Sequence, residues 1–305
     1  MIRNGRASAL IALFAVAGVG LAGCGDSAPE EAAPATNSSS SDTTEQADDA
    51  APFTGVQQID VDGSSVNVSC SGTPTDGRPV IVLLHGGGHS LDMLADLQDT
   101  LGETDRACSY DRLGAGASDA PSEPQTIESS GVVLTGVLDE VAGDAPVVLA
   151  GHSLGGLLSA RYAPDHQDRV AGLVLMDATS PTQAADLARD VPESAGGPAA
   201  DLRDQTLAVI DGENPEMLAF PDADVRSAGD IPVEVVQHGV PYLEEVPEYG
   251  AAMEQAWAEG QEKWLAVSSN STLSTAENSG HEIYLDEPEV AVEAIRRVVE
   301  AAGQR

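Results

Sequence analysis

The chain has one lysine, Lys263, and only 14 lysines and arginines in all against 50 aspartates and glutamates, for a formal net charge of −36. Nucleic-acid binding draws much of its affinity from cationic side chains that displace counterions from phosphates. This charge balance excludes it, and the excess acid reads as a solvated surface. Aromatic residues make up 3% of the chain and hydrophobic residues 42%. A core must therefore be filled by Val, Leu, Ile and Ala. Cysteine is equally scarce, with Cys24, Cys70 and Cys108. Metal-ligand patterns are missing too. The His85 to His89 spacing spans three glycines and lacks the glutamate of a zinc-protease helix, so neither a metal nor another cofactor is expected. The apolar run Ala9 to Leu21 is too short to read as a membrane-spanning helix.

What that run does offer is a leader. Arg3 and Arg6 precede it, and Leu21-Ala22-Gly23-Cys24 follows. Basic start, short apolar segment and small residues form the layout of an export signal, and the tetrapeptide resembles a bacterial lipobox. The resemblance implies a signal peptide over 1–23, cleavage before Cys24, and a diacylglycerol on its sulfur. The lipid would hold the protein to the outer face of the bacterial cell membrane. An ordinary signal peptide cleaved nearby, or an uncleaved anchor, are the alternatives. Residues 24–52 are small, polar, acidic and proline-containing. Such a segment cannot bury enough surface to offset its ordering entropy, and a disordered tether is expected. Export puts the two remaining cysteines in a compartment where a disulfide persists.

From residue 53 to 305 the pattern is that of one α/β domain. Val56–Val61 and Ser65–Ser69 alternate as strands around Asp62-Gly63, a hairpin signal. Short strands then recur at Pro79–Leu84, Arg106–Tyr110, Pro146–Ala150, Val170–Met176, Pro232–Val236 and Ser271–Thr275, several of them apolar runs. Helical spacing occupies Leu91–Leu101, Ile127–Val141, Leu157–Ala163, Glu248–Val267 and Pro288–Ala301. Val290, Ile295, Val298 and Val299 are the main apolar residues of the last. Strands alternating with helices predict a mostly parallel sheet covered on both faces. Residues 178–229 break the rhythm with Pro, Gly, Asp and Ala.

Gly151-His152-Ser153-Leu154-Gly155 is a G-x-S-x-G pentapeptide between an apolar strand and a helix, the setting this motif requires. Glycines let the backbone turn sharply there, and Ser153 is the candidate nucleophile. A serine hydroxyl needs a base to take its proton. Of six histidines, only His281 follows the serine on a loop after the last strand. His85 is expected to support its own loop, His89 to rim the pocket, His152 to pack beside the nucleophile, and His166 to be solvated. His238 ends a strand and is an outside candidate for the rim. The glycines of His85-Gly86-Gly87-Gly88 let amides approach a developing oxyanion. The expected hole is the amide of Gly87, with Gly88 as a further candidate, and that of Leu154.

These motifs, with Tyr110-Asp111-Arg112-Leu113-Gly114-Ala115-Gly116-Ala117-Ser118 and Ser279-Gly280-His281, resemble the α/β-hydrolase superfamily, from about Val56 to Ala301. The resemblance implies an α/β-hydrolase fold with a cap over about 178–229, inserted after the sixth strand, and structural roles for Asp111 and Arg112. It implies hydrolysis of a small-molecule carboxylic ester or related acyl substrate. In many members the acid of the triad follows the seventh strand; here that strand ends without an aspartate. An acid after the sixth strand is a known variant, so Asp177 leads, with Glu244 and Glu245 as alternatives. The second strand of the fold lies beside the fourth, which implies a Cys70–Cys108 disulfide. Trp257 and Trp264 share a helix face and read as core. A membrane-proximal lipase and a non-catalytic ligand-binding lipoprotein remain as other readings.

Overall fold

A computed structural model describes residues 52–305. The expected signal peptide, the lipid site at Cys24 and the tether (Pro52 excepted) lie outside the described residues. The chain opens with β1 (Gly55–Val61) and β2 (Ser64–Ser71). They are joined by Asp62-Gly63, where φ is 51° and 83°. Positive φ at both central residues suits the twist of a two-residue hairpin turn.

Six strands follow: β3 (Val80–Leu84), β4 (Ala107–Tyr110), β5 (Val147–His152), β6 (Val170–Met176), β7 (Pro232–His238) and β8 (Asn270–Ala276). They form one sheet in the order β1-β2-β4-β3-β5-β6-β7-β8. β2 is antiparallel to both its neighbours, and every other pairing is parallel. Every residue of β3, β4 and β5 is buried. These central strands have no solvent face, which is why they read as unbroken apolar runs.

The helices are α1 (Ala95–Gly102), α2 (Ile127–Ala142), α3 (Leu154–Tyr162), α4 (Gln183–Asp190), α5 (Pro198–Ile210), α6 (Gly250–Lys263), α7 (Ile283–Asp286) and α8 (Pro288–Gly303). α1 and α8 meet on one face of the sheet. There Leu97 and Leu101 join Ile295, Val298 and Val299 over Ile81, Leu83, Val148 and Val174. Val290, expected in that stripe, is only partly buried at its rim. α3 packs on β5 and β6, and beside it α2 packs on β1 and β3. Thr126 caps α2 by accepting from the Ser129 amide, while the Ser129 hydroxyl accepts from the Thr126 amide.

Cys70 and Cys108 stand directly opposite each other on antiparallel β2 and β4, and a disulfide joins them. Between β6 and β7 the chain forms α4 and α5 and then runs irregularly to residue 231. It is fastened at Gln125, which exchanges backbone hydrogen bonds of 2.8 and 3.0 Å with Met217 and Ala219. It is fastened again by Arg112 and Glu216, paired through two hydrogen bonds of 2.6 and 2.7 Å and both buried. Among the described residues no helix is long and apolar enough to cross a membrane.

Candidate active site

β5 runs into α3 through Ser153, whose φ is 51°. A side chain rarely adopts that conformation, and the glycines around it explain how the turn is tolerated. A Cβ on Gly151 would lie 2.3 Å from the Gly155 carbonyl oxygen, and one on Gly155 would lie 2.3 Å from that of Leu84. The Ser153 amide donates to the Met176 carbonyl at 3.1 Å, and its carbonyl accepts from the Thr179 amide at 3.1 Å. The turn is thereby sewn to the end of β6.

Parallel register places the next functional group beside it. His152 pairs with Met176, so Ser153 and Asp177 are equivalent next residues on adjacent strands. Asp177 also has positive φ, 43°, and is completely buried. Its amide donates to the Val236 carbonyl of β7 at 2.7 Å. Its carboxylate is crowded with donors. His281 Nδ1 lies 2.7 Å from Oδ2, His238 Nδ1 lies 2.8 Å from Oδ1, and Trp257 Nε1 donates to Oδ1 at 2.9 Å. Burial alone would favour the neutral acid, but the hydrogen bonds and charges of His238 and His281 prevail and hold Asp177 well below the usual carboxylate range.

His281 sits between β8 and α7. With Nδ1 donating to Asp177, its Nε2 carries the lone pair, the tautomer a general base needs. Its backbone oxygen accepts from His152 Nε2 at 2.9 Å. Trp257 stands edge-on to its ring at 5.4 Å. Among the described residues no hydrogen bond joins it to Ser153 Oγ; such bonds commonly tighten only when substrate is bound. His152 is completely buried, and burial followed by the nearby His281 keeps it neutral.

The loop after β3 is held from below. Arg112 donates to the carbonyls of His85 at 2.7 Å and Gly86 at 3.1 Å while paired with Glu216. His85 Nδ1 lies 2.8 Å from the Gly86 oxygen, and Nε2 accepts from the Arg112 amide at 3.4 Å. Asp111 Oδ1 accepts from the Leu91 amide at 2.7 Å. Among the described residues the amides of Gly87 and Leu154 donate to no protein acceptor. Leu154 begins α3, where helix amides lack internal partners and favour negative charge.

Several expectations change. Glu244 and Glu245 lie exposed in a short 3-10 helix, Tyr242–Glu245, and neither bonds His281. Trp257 is core, as expected, yet it also donates to the buried carboxylate. His166 is not freely solvated, for its ring stacks on Tyr162 at 3.8 Å. His238 stands against the acid, with Glu254 behind it at 2.5 Å from Nε2. Burial lowers the His238 pKa, but bonds to Asp177 and Glu254 outweigh this and raise it to about 9.

A family model described as the alpha/beta hydrolase fold matches residues 79–214. A thermophilic esterase from Thermogutta terrifontis superposes with a TM-score of 0.58 at 19% identity, covering 81% of this chain and 99% of that one. A carboxylesterase from Bacillus subtilis does so with a TM-score of 0.56 at 18% identity, covering 81% and 91%. The chain has the α/β-hydrolase fold.

Curated relatives align over less. A proline iminopeptidase from Saccharolobus solfataricus is 36% identical over 103 residues, 33% of each chain. A human (lyso)-N-acylphosphatidylethanolamine lipase is 32% identical over 103 residues, 33% of this chain and 30% of its own. The alignments thus span about a third of the length of these relatives. The resemblance places the acid of many members after the seventh strand, and here β7 ends in His238 instead. The signal for it was its place at a strand end adjoining that of β6. Glu254 and Trp257, three apart on α6, gave no such signal, because their role depends on how α6 docks.

Proposed function

We propose that the protein is a serine hydrolase cleaving a carboxylic ester or related acyl bond. The Asp177–His281 hydrogen bond carries this reading, because it fixes the base tautomer beside the strand end that bears Ser153. His281 Nε2 takes the Ser153 proton as Oγ attacks the acyl carbon. The amides of Gly87 and Leu154 stabilise the tetrahedral oxyanion. The imidazolium, held by Asp177, then protonates the leaving group. Water deacylates the enzyme by the same steps in reverse order. The likeness to esterases and the partial alignments with a lipase and a peptidase support acyl transfer and leave the bond type open.

We further propose export and lipid attachment at Cys24, which would place the site at the membrane face. The Cys70–Cys108 disulfide supports an oxidising compartment. Lipase action on the adjoining bilayer is the second reading, favoured by the leader and opposed by the net charge of −36 wherever lipids are anionic. The test is labelling of the folded protein by a fluorophosphonate probe, with Ser153→Ala in parallel, followed by turnover of an ester series against an amide and a diketone. Stoichiometric labelling lost in the variant is expected. Absence of labelling in the folded wild type would overturn the hydrolase reading.

A further inference from the structure

Both ring nitrogens of His238 face carboxylates: Nδ1 lies 2.8 Å from Asp177 Oδ1, and Nε2 lies 2.5 Å from Glu254 Oε1. A neutral imidazole has one N–H and one lone pair, while ionised carboxylates only accept. It could satisfy one of these contacts and would set lone pair against lone pair in the other. Both are satisfied together by an imidazolium. The groups facing it come from three elements. Asp177 stands at the end of β6 and Glu254 on α6. The Tyr242 ring lies 4.8 Å away in the 3-10 helix after β7. Glu254 is itself fixed, since Oε2 accepts from the Leu243 amide at 3.1 Å.

This arrangement creates an electrostatic problem and resolves it. A buried Asp177 paired with a cation would present His281 with a dipole and little net charge. The triad acid needs net negative charge to stabilise the imidazolium that forms in the transition state. Glu254 restores it from behind. We infer that Asp177, His238 and Glu254 act as one composite acid of net charge −1, in which His238 and Glu254 are positioning residues for His281. His238 Nδ1 straddles the Asp177 carboxylate, 2.8 Å from Oδ1 and 3.0 Å from Oδ2, and with Trp257 on Oδ1 it fixes the plane in which Oδ2 meets the base. Asp177 keeps His238 charged, and Glu254 accepts from its other ring nitrogen and returns the charge that His238 cancels. This rests on the proposed role of His281 as the base.

The test uses Glu254→Gln, His238→Gln and the double variant, each side chain retaining hydrogen-bonding capacity. The readout is the pH dependence of Ser153 labelling by the fluorophosphonate, alongside NMR titration of the histidine rings. Tyr242, His152, His89 and Glu282 also lie around His281 and are unchanged throughout. Glu254→Gln removes a negative charge, so the His281 titration and the acid limb should fall by about one pH unit. His238→Gln removes a positive charge and should raise both by a similar amount. The double variant should return close to wild type. Shifts of the same sign, no shift, or a double variant that fails to cancel would overturn the inference. Should His238→Gln fail to fold, the downward shift in Glu254→Gln decides alone. Neutral-ring NMR signals for His238 at neutral pH would overturn it independently of activity. If wild type does not label but the ring titrations behave as stated, the hydrolase reading fails while the composite charge stands.

Discussion

Asp177 keeps its charge although it is completely buried, because its oxygens meet two imidazoles and an indole N–H. Asp177→Asn would preserve the shape and turn an amide toward His281, favouring the wrong tautomer. We expect kcat on a good ester to fall by about 10⁴ with KM little changed, measured by steady-state turnover. The same residues set a pH window for stability. The His238 pKa is raised to about 9 in the fold. Its contribution is therefore complete below the ordinary histidine value, near 6.5, and is lost as pH rises through about 9. Asp177 is depressed, so its contribution is complete above the ordinary carboxylate range and is lost on acidification. Calorimetry should show Tm falling between about pH 6.5 and 9, with a shallower fall in His238→Gln.

Elements bring these residues together by simple means. The strands were readable because burial on both faces leaves runs such as Val80–Leu84 unbroken. Ser153 and His281 stood out as candidates from the local patterns around them. Asp177 could be ranked against Glu244 and Glu245 but not chosen, because the choice depends on where chain segments 104 residues apart meet. Glu254 was invisible for the same reason. Arg112 was read as structural, but its partner Glu216 lies 104 residues along the chain. That pair joins the loop bearing Gly87 to the segment preceding β7. Glu216→Gln would leave a buried guanidinium without its anion, at a cost of about 3–5 kcal/mol. We expect a lower Tm by thermal unfolding and, because Arg112 also holds the His85 and Gly86 carbonyls, slower acylation of Ser153.

At the scale of the whole molecule, the net charge of −36 makes the compact state repel itself. Salt screens that repulsion over a Debye length of about 8–10 Å at 0.1–0.15 M. Thermal unfolding should shift upward between low salt and about 0.5 M sodium chloride; a downward shift would mean that attractive surface pairs dominate. The disulfide acts on the other end of the equilibrium. It closes a segment of sequence separation 38, which in the chain-entropy picture stabilises by about 4 kcal/mol. Replacing Cys70 and Cys108 together by serine should lower Tm by roughly 10 °C.

The order of the parts along the chain has a further consequence. The proposed nucleophile, Ser153, sits near the middle, the proposed acid, Asp177, follows the next strand, and the proposed base, His281, arrives only after β8. A nascent chain would carry Ser153 well before His281, the proposed base, is made. On the proposed mechanism premature acyl transfer would be withheld, and chemical competence would itself report that the C-terminal segment has arrived and docked.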